Sequence, residues 1–186
     1  MIDVLTDEQL VEASLQGSAA AFNEIVERYQ ERLLRFLLTR SASRADAEDA
    51  IQDTFISAHR YLYSFNPRWR FSTWLYRIAL RNIASQPRRY LPDAEIEVAD
   101  GSDPLQICLV ASDHENVWIT AKRVLSDDAY SAMWLRYVED MSVKEVARAL
   151  NKSVSWAKVT LLRGRRRLKF ELADSTNAAA RSESYG

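Results

Sequence analysis

From Thr54 to Pro92 the chain carries no Asp or Glu, yet the same stretch holds Arg60, Arg68, Arg70, Arg77, Arg81, Arg88 and Arg89. Tyr61, Tyr63, Phe65, Trp69, Phe71, Trp74 and Tyr76 are interleaved with them. Positive charge among aromatic faces suits single-stranded nucleic acid. The charges follow the backbone and the rings stack on unpaired bases, at about 1–3 kcal/mol per base. Helical spacing also places Phe71 and Trp74, and Tyr61 with them, on buried helix faces, while Phe65, Trp69 and Tyr76 are open to either role.

A second constellation lies near the C-terminus. Ala157, Leu161, Gly164 and Leu168 recur at helical steps and form one apolar face, with Gly164 permitting close approach. The opposite face holds Ser155, Val159, Leu162, Arg163 and Arg166, flanked by Lys158, Arg167 and Lys169, with Trp156 at the edge of the first turn. A major groove admits one helix, whose N-terminal residues touch base edges. Ser155, Lys158 and Val159 are therefore candidate base contacts, Val159 suiting a thymine methyl. Arg163, Arg165, Arg166 and Arg167 are placed for phosphate, which supplies affinity rather than specificity.

Other chemistries find no support. His59 and His114 are the only histidines, and neither has a Cys or carboxylate at a metal-ligand spacing. There is no Gly-rich phosphate loop and no nucleophile triad. No enzyme, cofactor, metal or small-molecule substrate is implied. The single Cys108 cannot form an internal disulfide, which points to a reducing compartment. No apolar run reaches the ~18 residues of a transmembrane helix, and the acidic N-terminus lacks a signal-peptide core.

The elements that must hold these residues are all helical by their periodicity. The 186 residues include only four Gly and four Pro, too little turn punctuation for a β-rich chain. Thr6 with Gln9 forms a capping box for a first short helix. Ser18 caps a second running to about Arg40, and residues from Arg44 to about Tyr61 make a third, with Ala47, Ile51, Phe55 and Ala58 on its inner face. A fourth spans roughly Phe71 to Gln86. Residues 87–111 are acidic and rich in Pro, the composition of a linker. Helices then follow from about Asp113 to Leu125 and after Ser126, where Met133, Trp134 and Tyr137 give the apolar side. Ser142 with Glu145 is a second capping box, and Asn151 can take the left-handed turn before the basic helix. Short helix, tight turn and longer basic helix make a helix-turn-helix. The expected fold is all-α: an N-terminal domain over 1–86, a linker, a helix-turn-helix domain over 112–170, and a frayed tail over 171–186. The formal net charge is only −1. Charge is nevertheless segregated, with residues 61–90 and 141–170 basic and the segments around them acidic. Such clusters make local fields that survive a neutral total.

Taken together, these residues resemble the extracytoplasmic-function (ECF) sigma factors, small two-domain bacterial initiation factors. Three motifs carry the resemblance, which covers roughly residues 18–168. They are Asp46-Ala-Glu-Asp-Ala-Ile-Gln-Asp-Thr-Phe55, then Phe71-Ser-Thr-Trp-Leu-Tyr-Arg-Ile-Ala79, then Met133 to Tyr137 with Glu145-Val-Ala147, Lys158 and Arg163. The resemblance implies that Glu48, Asp49, Gln52, Asp53 and Phe55 dock on the β′ coiled coil of core RNA polymerase. It implies that Phe65, Trp69, Arg70, Trp74, Tyr76, Arg77, Arg81 and Asn82 recognise and melt a −10 promoter element. It further implies that Ser155, Trp156, Lys158, Val159, Arg163, Arg166 and Arg167 read a −35 element as duplex, with the same domain meeting the β flap. A cytoplasmic bacterial location and control by an anti-sigma factor follow from the same likeness. Two positions depart from the family. Arg81 stands where the family often has Asn, and Asn82 follows it, so either can make that base contact. Trp156-Ala-Lys158 replaces a commoner small residue, Val and Lys, which implies a different promoter sequence.

A helix-turn-helix regulator binding duplex alone leaves the acid-free aromatic stretch without a role. An adaptor that binds polymerase without DNA leaves the basic helix without one.

Overall fold

The computed structural model describes residues 5–41, 43–85 and 114–183. The expected linker, Cys108 and Pro87 lie outside the described residues. All regular structure among the described residues is helical. The chain divides into two units, Met1–Pro104 and Leu105–Gly186.

In the first unit, α1 (Asp7–Leu15), α2 (Ala19–Leu38), α3 (Arg44–Arg60), a single 3₁₀ turn (Leu62–Ser64) and α4 (Phe71–Ser85) follow one another. Each of the first three helices starts for a local reason. Thr6 and Gln9 form the expected box: the Gln9 N–H donates to Thr6 Oγ1 (3.3 Å) and the Thr6 N–H to Gln9 Oε1 (2.8 Å). Ser18 accepts from the Ala21 N–H and Ser43 from the Asp46 N–H. These bonds satisfy N–H groups that a helix start otherwise leaves unpaired.

The core of this unit is where α2, α3 and α4 meet. α2 buries Ile25, Leu33, Phe36 and Leu37 completely. α3 meets them with a row of small side chains, Ala47, Ala50, Thr54 and Ala58, all fully buried. The Thr54 hydroxyl donates to the Ala50 carbonyl (2.6 Å) and so adds no unpaired polar group. α4 closes the core with Phe71, Leu75, Tyr76 and Ala79. Phe36 and Tyr76 meet edge to face at 5.2 Å, a geometry worth about 0.5–1.5 kcal/mol beyond its buried area. α1 is tied to α2 by Asp7, which accepts from the buried Tyr29 phenol and from Arg28 (3.2 Å). Burial, and next the hydrogen bond to Asp7, push the Tyr29 phenol well above its ordinary pKa. The folded value lies above the unfolded one, so this contribution is complete below pH ~10 and lost only at higher pH.

The second unit holds α5 (His114–Val124), α6 (Asp127–Tyr137), α7 (Val143–Ala149) and α8 (Val154–Glu183). Tyr130, Met133, Trp134 and Leu135 of α6 pack with Val146 and Ala147 of α7 and with Ala157, Leu161 and Leu168 of α8. The Ser142–Glu145 box forms as expected. Asn151 adopts the left-handed conformation (φ 54°) and the Lys152 N–H donates back to the Ala147 carbonyl (2.8 Å), closing the turn into α8. A Cβ added to Gly164 would lie 3.2 Å from Met133 Sδ, which is the close approach its position implied.

Two expectations are corrected. Tyr137 does not join the apolar side of α6: it is half exposed. α8 does not end near Phe170 but runs to Glu183. No Gly or Pro interrupts residues 165–185, and Ala178, Ala179 and Ala180 favour helix. Glu171 also meets Arg123 of α5 at 3.7 Å.

Replacing Gly164 with Leu should overpack the α6–α8 contact and cost about 1–3 kcal/mol. Denaturant unfolding monitored by circular dichroism measures this. An unchanged midpoint would show that Met133 moves aside and that the contact does not set the helix spacing.

Candidate nucleic-acid interface

α3 presents two different surfaces along its length. In its first half Glu48, Asp49, Gln52 and Asp53 are all exposed. Arg44 pairs with Glu48 (2.7 Å), whereas Asp49 and Asp53 have no ion pair among the described residues. Phe55, which the family likeness set beside them, lies in the core, 9% exposed, as its helical spacing with Ala47 and Ala58 predicts. Its neighbour Ile56 is the apolar residue that reaches solvent, 57% exposed.

In its second half α3 turns toward α4. Ser57, Arg60 and Tyr61 face Trp74, Arg77 and Arg81 across a cavity of about 540 Å³, with Ser64 and Asn82 also at its wall. Arg60, Arg77 and Arg81 are exposed and have no ion-pair partner among the described residues. Asn82 is half-buried, and its Nδ2 donates to Ser57 Oγ over 3.4 Å, a long bond that turns its amide toward α3. Of the two adjacent candidates, Arg81 is therefore the one with a side chain open to solvent.

The rings divide as follows. Phe65, Phe71 and Trp74 form one cluster, with centroids 5.5–5.8 Å apart. Phe71 is its buried centre, while Phe65 and Trp74 are half-buried and keep an open edge. Trp69 is half-buried in a turn that Asn66 organises, its side chain accepting from the Arg68 N–H (3.0 Å). Tyr76 is fully buried against Phe36 and cannot meet a strand, because its position on α4 points it into the α2 interface. Tyr61, which helical spacing placed with the buried rings, is instead 47% exposed, because it caps the end of α3 rather than continuing its inner face; Tyr63 is 73% exposed. Arg70 is exposed as expected.

In the second unit the basic helix begins at Ser153, whose Oγ accepts from the Trp156 N–H (3.1 Å). Ser155, Lys158, Val159, Leu162, Arg163, Arg166 and Arg167 all face solvent, opposite the buried Ala157, Leu161, Gly164 and Leu168. Trp156 is half-buried under Lys152, whose ammonium lies 5.4 Å from the ring centroid. Lys152 also pairs with Asp128 of α6 (2.9 Å), so the Trp156 ring is braced from the turn. No group of His, Cys, Asp and Glu among the described residues is arranged to hold a metal ion. None of the described helices is long and apolar enough to cross a membrane.

Sequence reasoning missed Ser57, Arg60, Tyr61 and Ser64 as cavity residues. Their three- and four-residue spacing was visible, but only the packing of α3 on α4 sets them opposite Arg77 and Arg81.

Comparison with known proteins follows the same division. Residues 25–90 match the family described as Sigma-70 region 2, and residues 119–168 match Sigma-70, region 4. The chain is 32% identical to an ECF RNA polymerase sigma-E factor of Haemophilus influenzae over 179 residues, 89% of this chain and 94% of that one. It is 30% identical to the protein of the same name from Escherichia coli K12, over 89% of this chain and 93% of the relative. Among solved structures, CnrH in complex with the cytosolic domain of CnrY superposes with a TM-score of 0.67 at 24% identity, over 90% of this chain and 97% of that chain. The sigma factor RpoE from Bartonella quintana, solved with the anti-sigma factor NepR, gives 0.60 at 22% identity, over 82% and 96%.

Phe55 and Ile56 are adjacent in sequence and opposite in role, which makes them a direct test of α3's rotation. Phe55→Ala should cost about 3–5 kcal/mol of stability. Ile56→Asp, on the open face, should stay within about 0.5 kcal/mol. Chemical denaturation of the two variants distinguishes them, and a reversed order would mean that α3 is rotated from this position.

Proposed function

The chain belongs to the sigma-70 family, in its extracytoplasmic-function branch, and from that premise we propose how its faces divide the work of promoter selection. The acidic half of α3 meets core RNA polymerase. Glu48, Asp49, Gln52 and Asp53 supply charge, and Ile56 supplies the apolar contact first expected of Phe55. A basic, coiled-coil surface on β′ is the matching partner. The second unit meets the β flap and carries α8 into the major groove of a −35 element. There Ser155, Lys158 and Val159 reach base edges, Trp156 borders them, and Arg163, Arg166 and Arg167 hold phosphate.

The surface between α3 and α4 receives the −10 element as a single strand. Opening duplex costs a few kcal/mol per unstacked base, which contacts to the extruded strand must offset. Phe65, Trp69 and Trp74 offer ring edges and faces, with Tyr61 and Tyr63 beside them. Arg70, Arg77 and Arg81 supply charge, and the cavity accepts an unpaired base. The observation that carries this reading is the co-location on one surface of exposed guanidiniums, open rings and a cavity, on the unit whose other face is acidic. The chain contributes no reacting group in this scheme; polymerase performs the chemistry.

The structural relatives CnrH and RpoE were solved with the cytosolic domain of CnrY and with an anti-sigma factor respectively. We extend that mode of control to this chain: a partner protein holds it inactive by covering the faces that polymerase needs. The setting of this scheme is the bacterial cytoplasm.

Run-off transcription with purified core polymerase tests the whole reading. Start sites should appear only when core and this chain are both present. Asp49→Arg combined with Asp53→Arg should abolish core binding while the melting temperature holds; undiminished core affinity would remove the docking assignment. Arg163→Ala should weaken holoenzyme binding to promoter duplex and reduce the slope of log affinity against log salt by about 1. A slope equal to that of the parent protein would take Arg163 off the phosphate.

A further inference from the structure

α1 precedes the residues that match Sigma-70 region 2 and supplies no side chain to the faces described above. It nonetheless packs behind one of them. We infer that α1 is a clamp on the strand-binding surface, with Asp7 and Tyr29 as positioning residues for its rings. This inference rests on the reading that the surface receives a single strand, and it adds what holds that surface in its receptive shape.

Two routes lead from α1 to the same ring. The first is polar at its start and aromatic at its end. Asp7, in the first turn of α1, accepts from the Tyr29 phenol of α2. Tyr29 is buried, and its ring meets Phe71 of α4 edge to face at 5.6 Å. Phe71 in turn touches the two open members of the cluster, Phe65 at 5.5 Å and Trp74 at 5.6 Å. A buried phenol deprived of its acceptor carries a desolvation penalty. Loss of Asp7 therefore favours another placement of the Tyr29 ring, and Phe71 is the ring it leans on.

The second route is apolar. α1 packs on the 3₁₀ turn as well as on α2. Leu10 and Val11 of α1 are buried, and so is Leu62 of the turn. Tyr61, Tyr63 and Ser64 around Leu62 are exposed, and Tyr61 and Ser64 belong to the cavity wall. The turn is closed by the Ser64 N–H donating to the Tyr61 carbonyl (2.9 Å) and the Phe65 N–H to the Leu62 carbonyl (3.0 Å). Bonds of 3₁₀ type have poorer geometry than those of an α-helix, so such a turn relies on its packing. Both routes end at Phe65, which closes the turn and touches Phe71.

The clamp itself is held by few contacts. Arg28 of α2 donates to Asp7 (3.2 Å) and to the Leu5 carbonyl (2.8 Å) just before the helix, and is itself steadied by Glu24 (2.9 Å). α1 has nine residues, of which Leu10 and Val11 are buried. A helix of that length is marginal in water and persists here by docking, so one substitution at the tether loosens it.

Hydrogen exchange on the full chain reads the clamp without any promoter. Asp7→Ala should speed exchange of the Ser64 and Phe65 amides by about 10-fold or more, the scale of one lost charge-assisted hydrogen bond, while amides of the second unit keep the parent rates. Asp7→Asn retains an acceptor for the phenol and should restore most of the protection. Glu8→Ala removes an exposed carboxylate from the same first turn and should change nothing. Holoenzyme assembled from core polymerase and the full chain then links the clamp to function, below the melting temperature of each variant. The probe is the single-stranded −10 non-template sequence of a promoter found by the run-off experiment. Asp7→Ala should bind it at least about 5-fold more weakly, the lower end of one base stacked on a ring, with affinities for core and for −35 duplex unchanged. A helix that only adds stability would lower the melting temperature and leave strand affinity intact, and that result overturns the inference. Parent-like exchange at Ser64 and Phe65, or an equal fall in all three affinities, overturns it too, and in each case the promoter reading survives. If the parent holoenzyme binds the −10 strand no better than a scrambled one, the promoter reading fails and takes the inference with it.

Discussion

The first unit depends on how closely α3 can approach its neighbours. Ala47, Ala50, Thr54 and Ala58 present almost no side chain to α2 and α4, so the aromatic and branched residues of those helices fill the space between. Larger groups in that row would have to displace side chains of α2 and α4 that pack against it, in a core that tolerates extra volume poorly. The same row fixes the rotation of α3 about its own axis. With one face committed to the core, every other residue has its direction set. Glu48, Asp49, Gln52, Asp53 and Ile56 go to solvent on one side, and Ser57, Arg60 and Tyr61 go to the cavity at the far end. Functional surface and core are thus two readings of one helical period.

The second unit solves a similar problem with different means. Gly164 removes a Cβ where Met133 comes close, and Asn151 supplies a left-handed residue where the chain must reverse. Both act on α8, one setting its distance from α6 and the other its angle of departure from α7. Its outward face then follows without further instruction. Met133 is a suitable neighbour for such a contact, since its unbranched, polarisable chain fills irregular space. The brace from Asp128 through Lys152 to Trp156 adds a surface link of small energy, but it restricts a ring at the end of the helix that would enter the groove.

What the sequence made legible was what depends on period and local capping. The helices, the capping boxes at Thr6 and Ser142, the turn at Asn151 and the buried face of α8 follow from spacing within a few residues. What it left open depends on packing between helices. Tyr76 and Trp74 sit two residues apart on one amphipathic helix, and no local rule says which of two aromatic residues faces α2. On α3 the spacing with Ala47 and Ala58 read Phe55 correctly as inward, and only the family likeness drew it to the docking face. The cavity was invisible for a stronger reason: its two walls come from segments separated by the turn at Leu62–Ser64 and the loop after it. The end of α8 was misjudged because small, polar residues read as a tail, although Ala-rich sequence propagates a helix already started.

One helix carrying an acidic face and one wall of a basic cavity raises an electrostatic question, since opposite charges near each other would cancel both fields. Length resolves it. At 1.5 Å per residue, Asp49 and Arg60 are separated by roughly 16 Å along α3, and Asp53 and Arg60 by roughly 10 Å. The Debye length at physiological ionic strength is about 8 Å. Each face therefore keeps its own sign toward its own partner. The order of the charges also suits the helix: Asp46, Glu48 and Asp49 lie near its positive N-terminal end, and Arg60 at its negative C-terminal end. The near-neutral total leaves the chain little net long-range field, while the arginines at the cavity keep a local positive one. The two ends of α3 thus stay electrostatically distinct, which the division of faces proposed above requires.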